Sequence, residues 1–451
     1  MCGIVGYVGK EQAAPILLNG LAKLEYRGYD SAGLAVRDGE SPVEVVKAKG
    51  RLKALEEKTN NGLAIKGTCG IGHTRWATHG EPSENNAHPH ISDDYNVVGV
   101  HNGIIENYQE LRDKLVKNGY EFYSSTDTEV AIKLIDYYYK KYEHTPVDAI
   151  NHAMVRIRGS YAFAIMFKEY PDEIYVARKD SPMILGVSDG NCYVGSDVPA
   201  ILNYTRNVYY IGNMEIGNIT FYNLDGDEIE KELVEIKWDA KAAEKGGYEH
   251  FMMKEIHEQP EALRNTIRPR MVNGLPDFSA DGVGDELFTD VNRIVITACG
   301  TAMHSGLMGK NMIERLCRIP VTVDIASEFR YQNPIIDEHT LLITVSQSGE
   351  TADTLAALRL AKERGAKTLS VVNVKGSSIA RESDYVLYTH AGPEIAVAST
   401  KAYSVQVAVM YLIAFRFALV NGKISEKDAA GFMTTMIDTV DKVADALTYD
   451  Q

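Results

Sequence analysis

The sequence predicts two halves of different fold class: an α+β half up to residue 238, and from residue 291 to 451 an α/β half built on a doubly wound parallel sheet. Three observations predict this. Short strand patterns punctuated by glycine and tight turns fill the first half, and runs of strands with helices segregated between them make α+β layers. From Asn292 onward, continuous apolar strands alternate with helical patterns, which is how βαβ units with a sheet covered on both faces read. Between them the lysine-rich, glycine-containing stretch Asp239 to Gly247 and the Pro/Gly-containing region up to Asp290 break both patterns, so residues 239 to 290 read as a connector and hinge. A chain of 451 residues fits two or three domains at ~150 residues each.

In the first half, strands are expected at Cys2 to Val8, Gly33 to Arg37, Cys69 to Thr74, Asn96 to Asn102 and Tyr161 to Phe167, interrupted by two helices, Gln12 to Leu24 and Thr128 to Lys141. Segments 173–178, 182–187, 192–195, 208–211 and 217–222 read as successive antiparallel strands, joined by turns such as Ser188-Asp189-Gly190-Asn191. A helix is expected from Glu249 to Arg264. In the second half, strand Arg293 to Ala298 ends in Cys299-Gly300-Thr301 and leads to a helix ending at Leu316. Strands Val321 to Ile325 and Leu341 to Val345 follow, then the loop Ser346 to Thr351 and a helix to Arg364. Strands Leu369 to Val374 and Tyr385 to Thr389 precede two long helices, Thr400 to Leu419 and Ser425 to Leu447.

A formal charge of −15 and the lack of a Lys/Arg block argue against nucleic acid or an anionic membrane as the main partner. The five cysteines are an odd number at wide spacings without a C-x-x-C pair, which fits a reducing cytoplasm and no structural zinc. The N-terminus lacks the pattern of a leader, and the longest apolar stretch, Val405 to Val420, is broken by Arg416. A soluble, cytoplasmic protein is expected. His88-Pro89-His90 reads as structural rather than as a metal ligand pair, and neither a metal nor a cofactor is indicated.

Candidate chemistry begins at residue 2. If Met1 is removed, Cys2 carries a thiol and a free α-amine, and an amine titrating near ~7.7–8.0 can take the thiol proton directly or through one water. The same residue also suits the start of a buried strand. His101-Asn102-Gly103 follows an apolar strand, and an asparagine amide beside a glycine N–H is a donor pair for a developing oxyanion, although Asn-Gly equally fits a hairpin turn. The cluster His73 to Gly80 holds Arg75, which could clamp a carboxylate or could simply order a surface loop. Asp127 could pair an α-ammonium; on spacing alone it reads as the N-cap of the next helix.

In the second half, Ser346-Gln347-Ser348-Gly349-Glu350-Thr351 leaves a buried strand and enters a helix, so its hydroxyls and N–H groups point at the helix's positive end. That suits a phosphate without needing a cation, and it also suits a plain serine N-cap. No G-x-x-x-x-G-K-[ST] pattern is present, which weakens nucleotide binding. Cys299-Gly300-Thr301 offers a second small-residue loop at a strand end.

Several of these motifs resemble a known family. Cys2 to Gly6, Tyr26 to Gly33, His73 to Gly80, His101 to Asn107 and Thr126 to Glu129 are similar to the class II glutamine amidotransferase domain, one of the N-terminal nucleophile hydrolases. The resemblance implies an αββα sandwich with Cys2 as nucleophile, Asn102 and Gly103 as oxyanion hole and Arg27 as support for the nucleophile. It further implies that Arg75, Thr78, His79 and Asp127 hold glutamine, with Trp76 as a gate on an ammonia passage. The second half resembles the sugar isomerase (SIS) domain, and the order of domains resembles the aminotransferases that move glutamine nitrogen onto fructose 6-phosphate. Tyr248 to Ile256 and Val397 to Lys401 agree with that order. The implied sugar-phosphate residues are Thr301, Ser346, Gln347, Ser348 and Thr351, with Val397 against the sugar and a homodimer as the assembly.

Ala302 departs from the pattern, where the family usually has a serine. Such enzymes carry two SIS repeats and the chain ends after the first, so the expectation is glutamine hydrolysis and sugar-phosphate binding without completed amination. Two alternatives are weighed: a glutaminase half serving a different acceptor, as in phosphoribosylpyrophosphate amidotransferase, which needs an acidic pair in a diphosphate loop that Ser346 to Thr351 does not supply, and a non-enzymatic sugar-phosphate sensor.

Overall fold

A computed structural model describes residues 2–25, 28–77, 79–142, 145–218, 220–236 and 245–449. The chain divides into two compact units, Met1–Ala240 and Lys241–Gln451.

The first unit stacks an 8-stranded sheet on a 7-stranded one. Ile4, Ala35 and Ile71 from one sheet and Val98, Val100, Ala162 and Ala164 from the other are buried between them. Helices cover both outer faces. Ala13–Leu24 turns Ala14, Leu17, Leu21 and Leu24 inward, a helical period that buries one stripe. On the other side Asp127–Lys141 and Pro146–Arg156 pack Ile132, Ile135 and Ile150 onto the second sheet. Each fully buried leucine or isoleucine adds about 1.5–3 kcal/mol. The αββα order is therefore present.

Several local expectations are corrected. Five α-helices, not two, are found among the described residues of this unit: Ala13–Leu24, Leu52–Lys58, Tyr108–Lys117, Asp127–Lys141 and Pro146–Arg156. Two of the missed ones bury little, Leu52 and Leu55 in one and Leu111 and Leu115 in the other, so their sequences carry a weak periodic signal. The strands expected in succession from 173 to 222 are shared between the sheets. Tyr170–Lys179 pairs with Gly159–Phe167 in one, while Ile184–Ser188 and Asn191–Gly195 pair with each other in the other. The single strand expected at 217–222 is two, Glu215–Gly217 and Phe221–Tyr222, paired antiparallel.

The second unit holds a parallel sheet in the order Val321–Ile325, Arg293–Ala298, Thr340–Ser346, Lys367–Val372, Tyr385–Tyr388. One face is covered by Thr301–Cys317 and Lys401–Val420, the other by Ala352–Glu363. The expected helix from Glu249 to Arg264 is two, Phe251–His257 and Gln259–Ile267, separated where Pro260 removes a backbone donor. Where the sequence suggested a connector, Leu263, Ile267, Phe278, Leu287 and Phe288 instead belong to this unit's core. Lys401–Val420 is long and apolar enough to cross a membrane by composition. It packs here as a core helix against Thr301–Cys317 and Gln259–Ile267.

Candidate active site and sugar-phosphate site

In the first unit, strand pairing assembles the cleft. Gly3–Val8 runs antiparallel to Cys69–Arg75 with Gly3 opposite Thr74 and Ile4 opposite His73, which delivers Cys2 to the end of that strand beside Arg75 and Trp76. The Trp76 backbone N–H donates to Cys2 Sγ at 3.2 Å. Burial pushes the Cys2 thiol up, while the Trp76 backbone bond and the Arg75 charge pull it down. Burial is the largest of these causes and the thiol sits above its ordinary value, so a sulfur attacking from this position would need a base to take its proton.

Asn102 and Gly103 do not follow a strand but lie inside one, Val97–Ile105, opposite Ala162 and Tyr161, which removes the hairpin reading. Asn102 Nδ2 donates to the Cys2 carbonyl oxygen at 3.1 Å. Gly103 has φ +129, and a Cβ there would collide with the Ser160 carbonyl; only glycine fits this conformation at that distance from the neighbouring strand. Cys2, Arg75, Trp76, His88, His101, Gly103, Asp127 and Thr128 line one cleft.

The Arg75 guanidinium donates to the carbonyl oxygens of His79, Gly80 and Glu81, the last two at 3.1 and 3.4 Å. It shapes the loop after its strand and keeps a positive charge at the cleft. Asp127 is not the cap. Thr126 is, its hydroxyl accepting the Glu129 N–H at 3.2 Å, because the shorter β-branched hydroxyl sits at the turn while Asp127 is already helical. The buried Asp127 carboxylate accepts the Ile105 N–H at 2.9 Å and lies 3.9 Å from His79 Nδ1. Trp76 is half-exposed and meets Tyr29 edge-on at 5.0 Å. Arg27 and Thr78 lie outside the described residues.

Two contributors were not singled out in the sequence. Asp30 accepts the Ala77 N–H and the Ser31 hydroxyl, and its own N–H donates to the Arg75 carbonyl at 3.1 Å, so it fixes the turn that carries Trp76. It lies in the Tyr26 to Gly33 motif, so a signal was present. His73 lies behind Asn102, its Nε2 3.0 Å from Asn102 Oδ1. His73 stacks on His88 at 4.0 Å, and burial pushes its pKa down to about 3. His90 contacts the Tyr123 and Thr126 hydroxyls, each at 3.0 Å. His88 and His90 are thus packed into the protein interior.

In the second unit, strand order reverses between Arg293–Ala298 and Thr340–Ser346. That switch point is where open α/β sheets bind ligands, at the carboxyl ends of the strands. The loops leaving these two strands are Cys299-Gly300-Thr301 and Ser346 to Thr351. Each starts a helix, Thr301–Cys317 and Ala352–Glu363, whose first N–H groups favour an anion. Ser346 Oγ accepts the Gly349 N–H and contacts Thr351 Oγ1, both at 3.0 Å, and Ser348 Oγ accepts the Glu350 N–H at 3.2 Å. Gly349 has φ +65 against the Ser377 hydroxyl. The one acidic group of the loop is tied back, with Glu350 accepting the Ser378 N–H and hydroxyl, each at 2.8 Å. Gln347 accepts the Asn373 N–H through its carbonyl at 3.2 Å. Thr301 is exposed and Ala302 is buried.

Val397 is 80 % exposed on a loop pinned at both ends. Glu255 accepts the N–H groups of Ile395 and Ala396 at 2.6 and 3.0 Å. Glu394 accepts those of Thr400 and Ala402 at 2.9 and 3.0 Å. Lys401, just after the loop, is buried on Glu258 at 2.7 Å. Among the described residues, no group of three His, Cys, Asp or Glu side chains is placed to hold a metal ion.

The comparisons agree with this division. Residues 73–203 match the glutamine amidotransferase domain family and residues 287–416 the SIS domain family. A protein of Clostridium tetani named Glutamine--fructose-6-phosphate aminotransferase (isomerizing) is 51% identical over 100% of this chain and 74% of its own length. The protein of that name from Clostridium acetobutylicum is 53% identical over 99% of this chain and 74% of its own. Among solved structures, the C-terminal domain of glucosamine-fructose-6-phosphate aminotransferase from Francisella tularensis matches 46% of this chain and 58% of that chain, at 38% identity and a TM-score of 0.45. The chain spans about three quarters of the length of these curated relatives, at about half identity throughout. It belongs to the isomerising glutamine–fructose-6-phosphate aminotransferase family.

Proposed function

We propose that this chain hydrolyses glutamine at Cys2 and binds fructose 6-phosphate at the Ser346 to Thr351 loop, within the glutamine-dependent conversion of fructose 6-phosphate to glucosamine 6-phosphate and glutamate. The observation that carries the reading is a sulfur with a backbone N–H at 3.2 Å in a cleft shared with Gly103 and Asp127. The amine of Cys2, free once Met1 is removed, takes the thiol proton as sulfur attacks the carboxamide carbon. Asn102 and Gly103 donate to the oxyanion that forms. The proton is delivered to the leaving nitrogen, ammonia departs, and water releases glutamate from the thioester and restores the thiol. Arg75 pairs the substrate α-carboxylate, Asp127 its α-ammonium, and His79 lies beside Asp127. Arg27, Trp76 and Thr78 keep the roles that the resemblance implies.

At the second site Ser346, Gln347, Ser348, Thr351 and Thr301 hold the phosphate with helix N-termini in place of cations, and Val397 meets the sugar. The polypeptide works in the cytoplasm, in line with five free thiols, and as a homodimer, which sedimentation would test. Glutamate release is measured with and without fructose 6-phosphate, for the native chain and for Cys2→Ala, alongside calorimetry with the sugar phosphate. Glutamate release that survives Cys2→Ala overturns the nucleophile, and no heat with fructose 6-phosphate overturns the second site.

A further inference from the structure

We propose that His73 is a positioning residue for glutamine hydrolysis, its Nε2–H fixing which end of the Asn102 amide faces Cys2; this rests on Asn102 being an oxyanion donor. His73 and Asn102 are on different sheets, and their contact joins the two layers directly behind the nucleophile. His73 Nε2 lies 3.1 Å from the His101 carbonyl oxygen and 3.0 Å from Asn102 Oδ1. A carbonyl oxygen can only accept, so Nε2 carries the hydrogen. The Asn102 atom facing it must then be the oxygen. On its other side Asn102 faces the Cys2 carbonyl at 3.1 Å, which also only accepts and requires the NH2 end.

Turning the amide over would set donor against donor at His73 and acceptor against acceptor at Cys2. The ring cannot swing to relieve this, because it is fully buried and stacked on His88 at 4.0 Å. Its Nδ1 is buried with no hydrogen-bond partner, so among the described groups the ring's polar contacts are all made through Nε2. That one-sided bonding is the mark of a group set to read a neighbour rather than to relay a proton. His73 does not itself line the cleft, although it meets two residues that do, His88 and His101, and it reaches the proposed oxyanion donor through Asn102.

The test is a double-mutant cycle on glutaminase activity in the full chain. Asn102→Ala should lower kcat about 100- to 1000-fold. His73→Phe, which keeps a ring and removes the donor, should lower kcat about 10- to 100-fold, a part of the full donor loss, with KM changed less than about 3-fold. In the Asn102→Ala background it should cost nothing further. His73→Gln, with an amide N–H at the reach of Nε2, should recover most of the rate. Binding of glutamate γ-semialdehyde, whose adduct with sulfur carries the oxyanion, should weaken in step with kcat, while binding of glutamate should not.

Normal kcat in folded His73→Phe, or an equal loss when Asn102 is already alanine, overturns the inference. Normal kcat in Asn102→Ala overturns the oxyanion reading and the inference with it. Should His73→Phe not fold, 15N spectra of the native chain decide: a neutral Nε2–H tautomer supports the assignment, and an Nδ1–H or cationic ring overturns it.

Discussion

Replacing Asp127 by asparagine should separate substrate affinity from thiol chemistry. Asp127 opens the helix Asp127–Lys141, is buried, and uses one oxygen to accept the Ile105 N–H at 2.9 Å. Asparagine keeps an oxygen for that bond, so stability should stay within about 1 kcal/mol. What disappears is the negative charge proposed to pair the substrate α-ammonium. A hydrogen bond to a charged group contributes about 1.5–3 kcal/mol, and tenfold in affinity is about 1.4 kcal/mol, so KM for glutamine should rise about 10- to 150-fold with kcat little changed. Glutamate release at varied glutamine gives both constants. The control is glutaric acid monoamide, which has the carboxamide and carboxylate but no amine; native and variant chains should hydrolyse it equally. An unchanged KM for glutamine, or an equal loss on both substrates, would refute the ammonium pairing.

Two further predictions concern pH and the phosphate loop. His73, His88, His90 and His101 are pushed down by burial, His73 to about 3, so each takes up a proton less readily folded than unfolded, where it titrates near ~6.5. Their contribution is intact above pH 6.5 and is lost as pH falls below it, at up to about 1.4 kcal/mol per pH unit for each ring. Urea midpoints of the first unit should therefore drop between pH 6.5 and 4.5, and a flat profile would refute the neutral cluster. Gly349→Ala places a side chain at φ +65 against Ser377, a strain of roughly 1–2 kcal/mol that should weaken fructose 6-phosphate binding about 5- to 30-fold in calorimetry. Basal glutamate release should be unaffected, and an unaltered Kd would argue that the phosphate binds elsewhere.

The parallel-sheet half was largely legible because strands such as Arg293–Ala298 and Thr340–Ser346 are mostly apolar runs and helices such as Thr301–Cys317 and Ala352–Glu363 are long. Its switch point was not, since strand order depends on packing that no local run of residues records. In the first half the candidate residues Cys2, Asn102, Gly103 and Arg75 could be picked out by type, each with a structural alternative, and the structure gathers Cys2, Arg75 and Gly103 at one cleft, whereas Tyr170–Lys179 and Ile184–Ser188 read alike and go to different sheets. Asn102-Gly103 looked like a turn because the sequence has the turn residues, and only the pairing with Ala162 and Tyr161 shows a glycine forced by a passing strand. His73 stayed hidden for a related reason: its meeting with Asn102 exists only once two sheets stack.

The pinned loop that carries Val397 has a mechanical consequence. Glu255 belongs to Phe251–His257, the first helix that the structure describes after residues 237–244. Its carboxylate grips two successive peptide groups of the loop. A slide or rotation of that short helix must drag Ile395 and Ala396 along or abandon a buried negative charge. The loop that carries Val397 is thus geared to the helices that follow residues 237–244, through Glu255 and, just past the loop, through Lys401 on Glu258.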